Sequence, residues 1–264
     1  MDDFTENDGN VSAALTPAAA RDASLRVAEE MGWRARLEDV GRFALRPTFA
    51  TQPLAWGRAA ALALAVVFVL DLLLGELIVW LTGTWDEAVG LLPELIEQDI
   101  SLAEELFTGL VLAPVLEELL FRGWLTGRIA ALRFAFYGIA ALACFMVSFY
   151  AEPDLAQIFG LTGVATAFAG LVHWSYTRHR DTDVPAWFTR HFHWFVWGST
   201  LLFGVIHLGN YEPLTHPLGV LVVLPQTIGG LLLAYTRTRL GLGAAMAHHA
   251  AYNAVFFASD YGWW

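Results

Sequence analysis

One cysteine, no lysine and little charge of either sign set the first limits on this 264-residue sequence. Cys144 stands alone, so no internal disulfide can form, and no Cys cluster suggests a structural zinc site. All fifteen basic residues are Arg, and the formal charge of −11 speaks against nucleic acid as a partner. Charged residues make up only 16% of the chain, where a soluble domain carries about 25%. With 56% apolar residues, a disordered chain is excluded and a soluble globular domain disfavoured. There is no internal repeat and no low-complexity linker. The start, Met1-Asp2-Asp3, is acidic and lacks an apolar core behind a basic segment, which is not the pattern of a signal peptide.

What is present suits a lipid solvent: eleven Trp, eighteen Phe and a series of long apolar runs. Crossing a hydrocarbon core of ~30 Å takes about 20 helical residues. Seven runs come near that length, roughly 56–81, 106–127, 133–150, 155–177, 191–209, 217–236 and 240–259. Unpaired backbone cannot face lipid, so these runs predict helices. The fold class is therefore an all-α, polytopic transmembrane bundle of about seven spans, with eight as the alternative count. Trp56, Trp80, Trp124, Trp174 and Trp194 fall near span ends, as interfacial Trp should. Residues 84–105 carry seven acids and read as an outer loop with a short amphipathic helix.

Residues 1–50 form a separate, polar N-terminal segment with nine Asp and Glu against six Arg; residues 51–264 form the membrane domain. From Ala20 to Arg46, the positions of Leu25, Met31, Leu37, Val40 and Phe43 have helical spacing. They predict either an amphipathic helix on the membrane surface or a soluble cytosolic tail. Every Arg lies before span 1 or in alternate loops: Arg122, Arg128 and Arg133 towards the span 2–3 turn, Arg178, Arg180 and Arg190 between spans 4 and 5, Arg237 and Arg239 between spans 6 and 7. The positive-inside rule then puts the N-terminus in the cytoplasm and the C-terminus outside, in what we expect to be a bacterial inner membrane.

Ionisable groups inside spans cost roughly 2.5–3.5 kcal/mol each on insertion scales and usually mark function. Glu117-Glu118-Leu119-Leu120-Phe121-Arg122 lies in an apolar run. Glu118 and Arg122, at i and i+4, can pair along the helix, which leaves Glu117 turned towards another one. Pro114 removes a backbone donor three residues earlier and is expected to kink the span and open a wet pocket. Phe203-Gly204-Val205-Ile206-His207 ends span 5, and His249-Ala250-Ala251-Tyr252-Asn253 puts His249 and Asn253 on one face of span 7. Each of these pieces alone suits interhelical packing as well as chemistry. His248 points elsewhere, His173 is a lone intramembrane His, and Asp71 and Glu76 read as structural or near a loop.

Taken together, Glu-Glu-x-x-x-Arg, Phe-x-x-x-His and His-x-x-x-Asn, in order on separate spans across residues 105–260, resemble the CPBP family. That family comprises prenyl-protein (CAAX) endopeptidases and bacteriocin-processing or immunity proteins, also called Abi proteins. The resemblance implies an all-helical intramembrane peptidase of the glutamate type. It implies that Glu117 activates water, that His207 orients or activates that water, and that His249 and Asn253 stabilise the oxyanion. Glu118 and Arg122 support the site. The chemistry is self-consistent, because a poorly hydrated pocket makes a carboxylate a better proton acceptor, and oxyanion donors contribute about 2.7–4 kcal/mol each. No metal or other cofactor is implied.

Two features depart from the family pattern. The first two motifs are separated by a whole pair of spans, roughly residues 134–173, which reads as an insertion that preserves helix direction. The intervening Phe145-Met146-Val147-Ser148-Phe149 carries no His, so His207 is taken for the second motif. At ~1.5 Å per residue, Glu117, His249 and Asn253 lie about 9–17 Å below the outer surface and His207 about 3–5 Å; a span 5 continuing towards Tyr211 would deepen His207. The site is then expected to open outwards, with a membrane-anchored or exported protein or peptide as substrate. Competing readings are a zinc protease with Glu117, His207 and His249 as ligands, although no His-Glu-x-x-His helix is present, a non-catalytic immunity or scaffold protein, and, more weakly, a transporter.

Overall fold

The computed structural model describes residues 31–97 and 99–262. Among these, every regular element is helical, and the only strand-like feature is an isolated antiparallel bridge between Leu95 and Tyr211. The elements in order are α1 (Trp33–Leu45), α2 (Arg58–Val89), a broken helical rod over residues 102–126 that we call α3, α4 (Ile129–Tyr150), α5 (Pro153–Thr177), the short α6 (Ala186–Arg190), α7 (Phe192–Ile206), α8 (Leu224–Leu240) and α9 (Leu242–Asp260).

Among the described residues, five helices are long and apolar enough to cross a membrane: Arg58–Val89, Ile129–Tyr150, Pro153–Thr177, Phe192–Asn210 and Pro217–Leu240. The chain is an integral membrane protein. The other two expected spans fall short for different physical reasons. The rod α3 is cut into short pieces, and α9 carries His248, His249 and Asn253 in its middle.

Helix α8 is the centre. Its residues 230–236 are buried all round, as befits a helix enclosed by others, and it packs against α1, α2, α7 and α9. Leu231, Leu232 and Tyr235 meet Val67 of α2 and Val196 of α7 in one cluster, which also takes in Val40 and Phe43 of α1. Helix α1 thus docks on the bundle instead of lying free. Asp39 holds it there by accepting from Tyr235 Oη at 3.1 Å and pairing with Arg239 Nε at 3.1 Å. The earlier part of the expected amphipathic helix, Leu25 included, lies outside the described residues.

Helix α2 runs eight residues beyond its expected end. It stops where Gly90 takes a left-handed φ of 62°, and Asp86 Oδ1 accepts the N–H groups of Leu91 and Leu92 at 2.6 and 2.8 Å. The short helix expected within 84–105 starts only at Leu102, behind a capping box of Ser101 and Glu104. The span that contains α7 does continue towards Tyr211, reaching Asn210, but its last turn is not α-helical. Helix α7 gives way to a 3₁₀ turn at His207–Asn210, and residues 94–96 cover that turn through Ile96 N–H to Asn210 O and Glu212 N–H to Glu94 O, both 2.9 Å.

Helices α4 and α5 form a hairpin that packs on itself and, through α4, on the end of α3. Small residues allow the approach: a Cβ on Gly170 would stand 2.5 Å from Tyr137 Cβ, and one on Gly163 would stand 2.7 Å from the Phe145 ring. His173 bonds Tyr137 Oη at 3.3 Å within this hairpin, away from the other candidates. Gly170→Val is expected to destabilise the protein by about 1–3 kcal/mol through overpacking. A lowered midpoint of thermal unfolding in detergent, with hydrolysis per folded molecule unchanged, is the result that checks it.

Candidate active site

The rod α3 is shaped by one residue that cannot donate. Pro114 lacks an N–H and its ring crowds the preceding turn. The backbone answers with a π-helical turn at Thr108–Leu112, in which Ala113 N–H reaches back to Thr108 O. In that register the carbonyl of Gly109 would need the N–H of residue 114, which does not exist. Asn253 of α9 supplies the missing donor: its Nδ2 lies 2.7 Å from Gly109 O. A second π turn, Glu118–Arg122, begins immediately after Glu117. The end of the rod leaves three successive carbonyls to its neighbours, and all three are satisfied. Ser199 Oγ donates to Phe121 O at 2.6 Å, Arg237 Nε to Arg122 O at 3.0 Å, and Arg237 Nη2 to Gly123 O at 3.4 Å. Arg237 is therefore a clamp on α3 and not merely a residue of the Arg-rich turn.

This frame fixes the motif side chains. Glu118 and Arg122 are wholly buried, with Arg122 Nη1 donating to Glu118 Oε1 at 2.8 Å. Arg122 Nη2 also reaches Gly230 O at 3.2 Å, and the guanidinium lies 3.9 Å from the centre of the Phe203 ring. The same Glu118 Oε1 stands 3.2 Å from His249 Nδ1. The other nitrogen of that ring, Nε2, is 3.9 Å from Glu117 Oε2. Glu117 Oε2 is buried and has no hydrogen-bond partner among the described residues. His207 bonds Phe203 O through Nδ1 at 2.7 Å, and its ring lies tilted by 56° against that of Phe203, with centroids 4.6 Å apart. It sits close enough to Glu117 and His249 for their charges to act on it. The structure thus brings Glu117, Glu118, Arg122, His207 and His249 into one cluster, with Asn253 one turn along α9.

His207, His249 and Asn253 line a cavity of about 500 Å³. Its walls continue to Thr82 and Gly83 near the end of α2, Tyr211 after α7, Pro225 at the start of α8 and Ser259 near the end of α9. These positions share one end of the bundle, opposite the end that holds α1 and Arg239.

A family model described as Type II CAAX prenyl endopeptidase Rce1-like matches residues 100–187 and 184–255. The chain belongs to this family. The Rce1-like match begins just before α3 and covers all three motif segments, while α1 and α2 lie outside it. Rce1-like proteins are membrane proteases, the CPBP group to which the motifs point. No curated protein and no solved structure matches the chain.

Among the described residues of this Rce1-like chain, no three His, Cys, Asp or Glu side chains are grouped as metal ligands. Sequence reasoning did not find the parts Ser199, Arg237 and Gly109 play in holding the site. Nothing in their local sequence marks them, because each acts on a backbone carbonyl of a helix distant in the chain. Only Pro114, read as a source of a kink, pointed to a disturbed backbone there.

Proposed function

We propose that this protein is an intramembrane endopeptidase that hydrolyses a peptide bond of a membrane-anchored or exported protein by direct attack of water. The observation that carries the proposal is the pairing of Glu117 with His249 beside a cavity. One carboxylate oxygen is buried without a partner, 3.9 Å from an imidazole nitrogen. That gap is too long for a hydrogen bond and short enough for both atoms to hold one water. Glu117 takes the proton of that water as it attacks the carbonyl carbon, and returns it to the leaving amine.

The histidines divide the remaining work by tautomer. The bond to Phe203 O keeps the proton of His207 on Nδ1, so its Nε2 presents a lone pair that orients the water. His249 is held through Nδ1 by Glu118. Its Nε2, facing Glu117 at 3.9 Å, is placed to donate to the oxyanion. Asn253 spends one amide N–H on Gly109 O and keeps the second for the same oxyanion.

Seven crossings, with the broken rod and α9 counted as spans, put the Arg residues of the described loops, Arg128, Arg180 and Arg239 among them, at the end opposite the cavity mouth. With that end cytoplasmic, in a bacterial inner membrane, the site opens outwards, the C-terminus is outside and residues 1–50 are cytoplasmic.

The test is hydrolysis by the full chain in lipid nanodiscs, with membrane-anchored candidate substrates and fragments mapped by mass. Cleavage is expected to persist under strong chelation and to fall in His207→Ala. Loss on chelation with recovery on added zinc would overturn the metal-free mechanism. A cysteine at position 207 is expected to be labelled only from the extracytoplasmic side; labelling only from the cytoplasm would reverse the orientation.

A further inference from the structure

A second chamber lies at the other end of the bundle from the candidate active site. It holds about 600 Å³ between the segment before α2, the end of α3, the loop into α6 and the end of α8. Backbone bonds tie these distant segments together. Leu54 N–H donates to Arg239 O at 2.7 Å, and Ile129 N–H donates to Asp183 O at 3.1 Å. Gly127, with a left-handed φ of 68°, lets Phe188 and Val184 close in, since a Cβ there would stand 2.5 Å from the Phe188 ring. The chamber is therefore framed by the fold itself.

The charge that faces it has one sign. Arg128 and Arg237 line it, and no Asp or Glu among the described residues does. The two are near enough for the charge of one to act on the other. Other cations at this end are matched: Arg133 pairs with Asp181, and Arg239 with Asp39. Among the described residues, neither Arg128 nor Arg237 has a carboxylate within reach of an ion pair. Glu118 acts on Arg237 from a distance, but its own bonds go to Arg122 and His249.

Donors are left over as well. Arg237 gives Nε and one Nη2 hydrogen to the carbonyls of α3, and its Nη1 donates to nothing among the described residues. Thr126 Oγ1 accepts from Arg128 N–H at 3.4 Å, so its own proton is spare. Thr51 and Thr182 add two hydroxyls to the lining with no acceptor among the described residues.

Two guanidinium groups and several spare hydroxyls around one space call for a ligand with fixed negative charge and several oxygens. A phosphate group has both. Its likeliest source follows from depth: the spans Ile129–Tyr150, Pro153–Thr177, Phe192–Asn210 and Pro217–Leu240 all have an end beside this chamber, at the level where hydrocarbon gives way to headgroups. Phe49, Pro53 and Leu125 supply an apolar wall that suits the first carbons of a lipid. We propose that this chamber binds the phosphate group of an anionic ligand, held by Arg128 and Arg237; a lipid headgroup and free phosphate are the two sources of that chemistry. The leaflet is cytoplasmic in the orientation given above, but the binding depends neither on that orientation nor on the peptidase reading. Because Arg237 also clamps the end of α3, an anion bound there stabilises the fold.

The experiment is thermal unfolding of the full chain in detergent micelles, titrated separately with phosphatidylglycerol, phosphatidylcholine and inorganic phosphate. Phosphatidylglycerol is expected to raise the midpoint by about 2–8 °C and to saturate. Phosphatidylcholine, whose phosphate is cancelled by its own cation, is expected to leave it unchanged. A lipid source predicts that inorganic phosphate does far less at the same concentration; an equal rise from inorganic phosphate would assign the chamber to the free ion. Arg128→Gln leaves the clamp on α3 intact and is expected to raise the half-saturating concentration about fivefold. Arg180→Gln removes the same charge at the same end but outside the chamber, and is expected to titrate as wild type does. No rise with either anionic ligand would overturn the proposal. Equal weakening by the two variants would overturn it too, because it would mark diffuse surface charge and not a site.

Discussion

Glu117→Gln is expected to abolish hydrolysis without weakening the fold. The loss should be about 10²–10⁴-fold in kcat, the usual contribution of a positioned general base. The amide has nearly the shape of the carboxylate but cannot accept the proton of water. What makes the experiment clean is that Glu117 contributes little to the architecture. Its buried oxygen makes no hydrogen bond among the described residues, and the His249 ring, 3.9 Å away, is held by Glu118. Thermal unfolding of the variant in detergent should therefore match wild type, while single-turnover hydrolysis in nanodiscs is lost. Unimpaired cleavage by a correctly inserted Glu117→Gln protein would remove Glu117 from the mechanism.

Arg122→Met is expected to do the reverse and act first on stability. Arg122 and Glu118 are both wholly buried and joined at 2.8 Å. Taking away the cation leaves a carboxylate enclosed with only the His249 ring, and breaking a buried pair from one side costs about 3–5 kcal/mol. The variant also surrenders the contact with Gly230 O and the face of Phe203. Pairing it with Glu118→Leu removes the stranded charge, so the double variant should regain most of the lost stability and remain inactive, because His249 then has nothing to hold its Nδ1. A double-mutant cycle read by unfolding midpoint checks this; additive losses would show that the two side chains do not act as a pair.

The broad architecture was legible because lipid imposes it. Apolar length gave five of the seven expected spans as long helices, and i, i+4 spacing gave the Glu118–Arg122 pair; both are present in the described residues. The ends of elements were read less well. Helix α2 passes the acidic residues Asp86 and Glu87 before stopping, because Asp86 folds back to cap the turn beyond Gly90. Hydropathy sees an acid where the backbone sees a cap. The break in α3 was only hinted at by Pro114, and the link from Asn253 to Gly109 O, 144 residues away, left no mark in the sequence at all. Asp71 and His248 were set aside one by one for the same reason. A lone acid and a lone histidine read as structural until the fold places them 3.1 Å apart.

The hairpin of α4 and α5 hangs on the rest of the molecule chiefly through the end of α3 and lends no side chain to the cavity. It is an attachment more than a wall. Its tip, residues 151–152 between Tyr150 and Pro153, is accordingly the place to graft a rigid carrier protein for electron microscopy or an affinity handle, since a load carried there is transmitted to α5 and α4 and not to the chamber where peptides are cut.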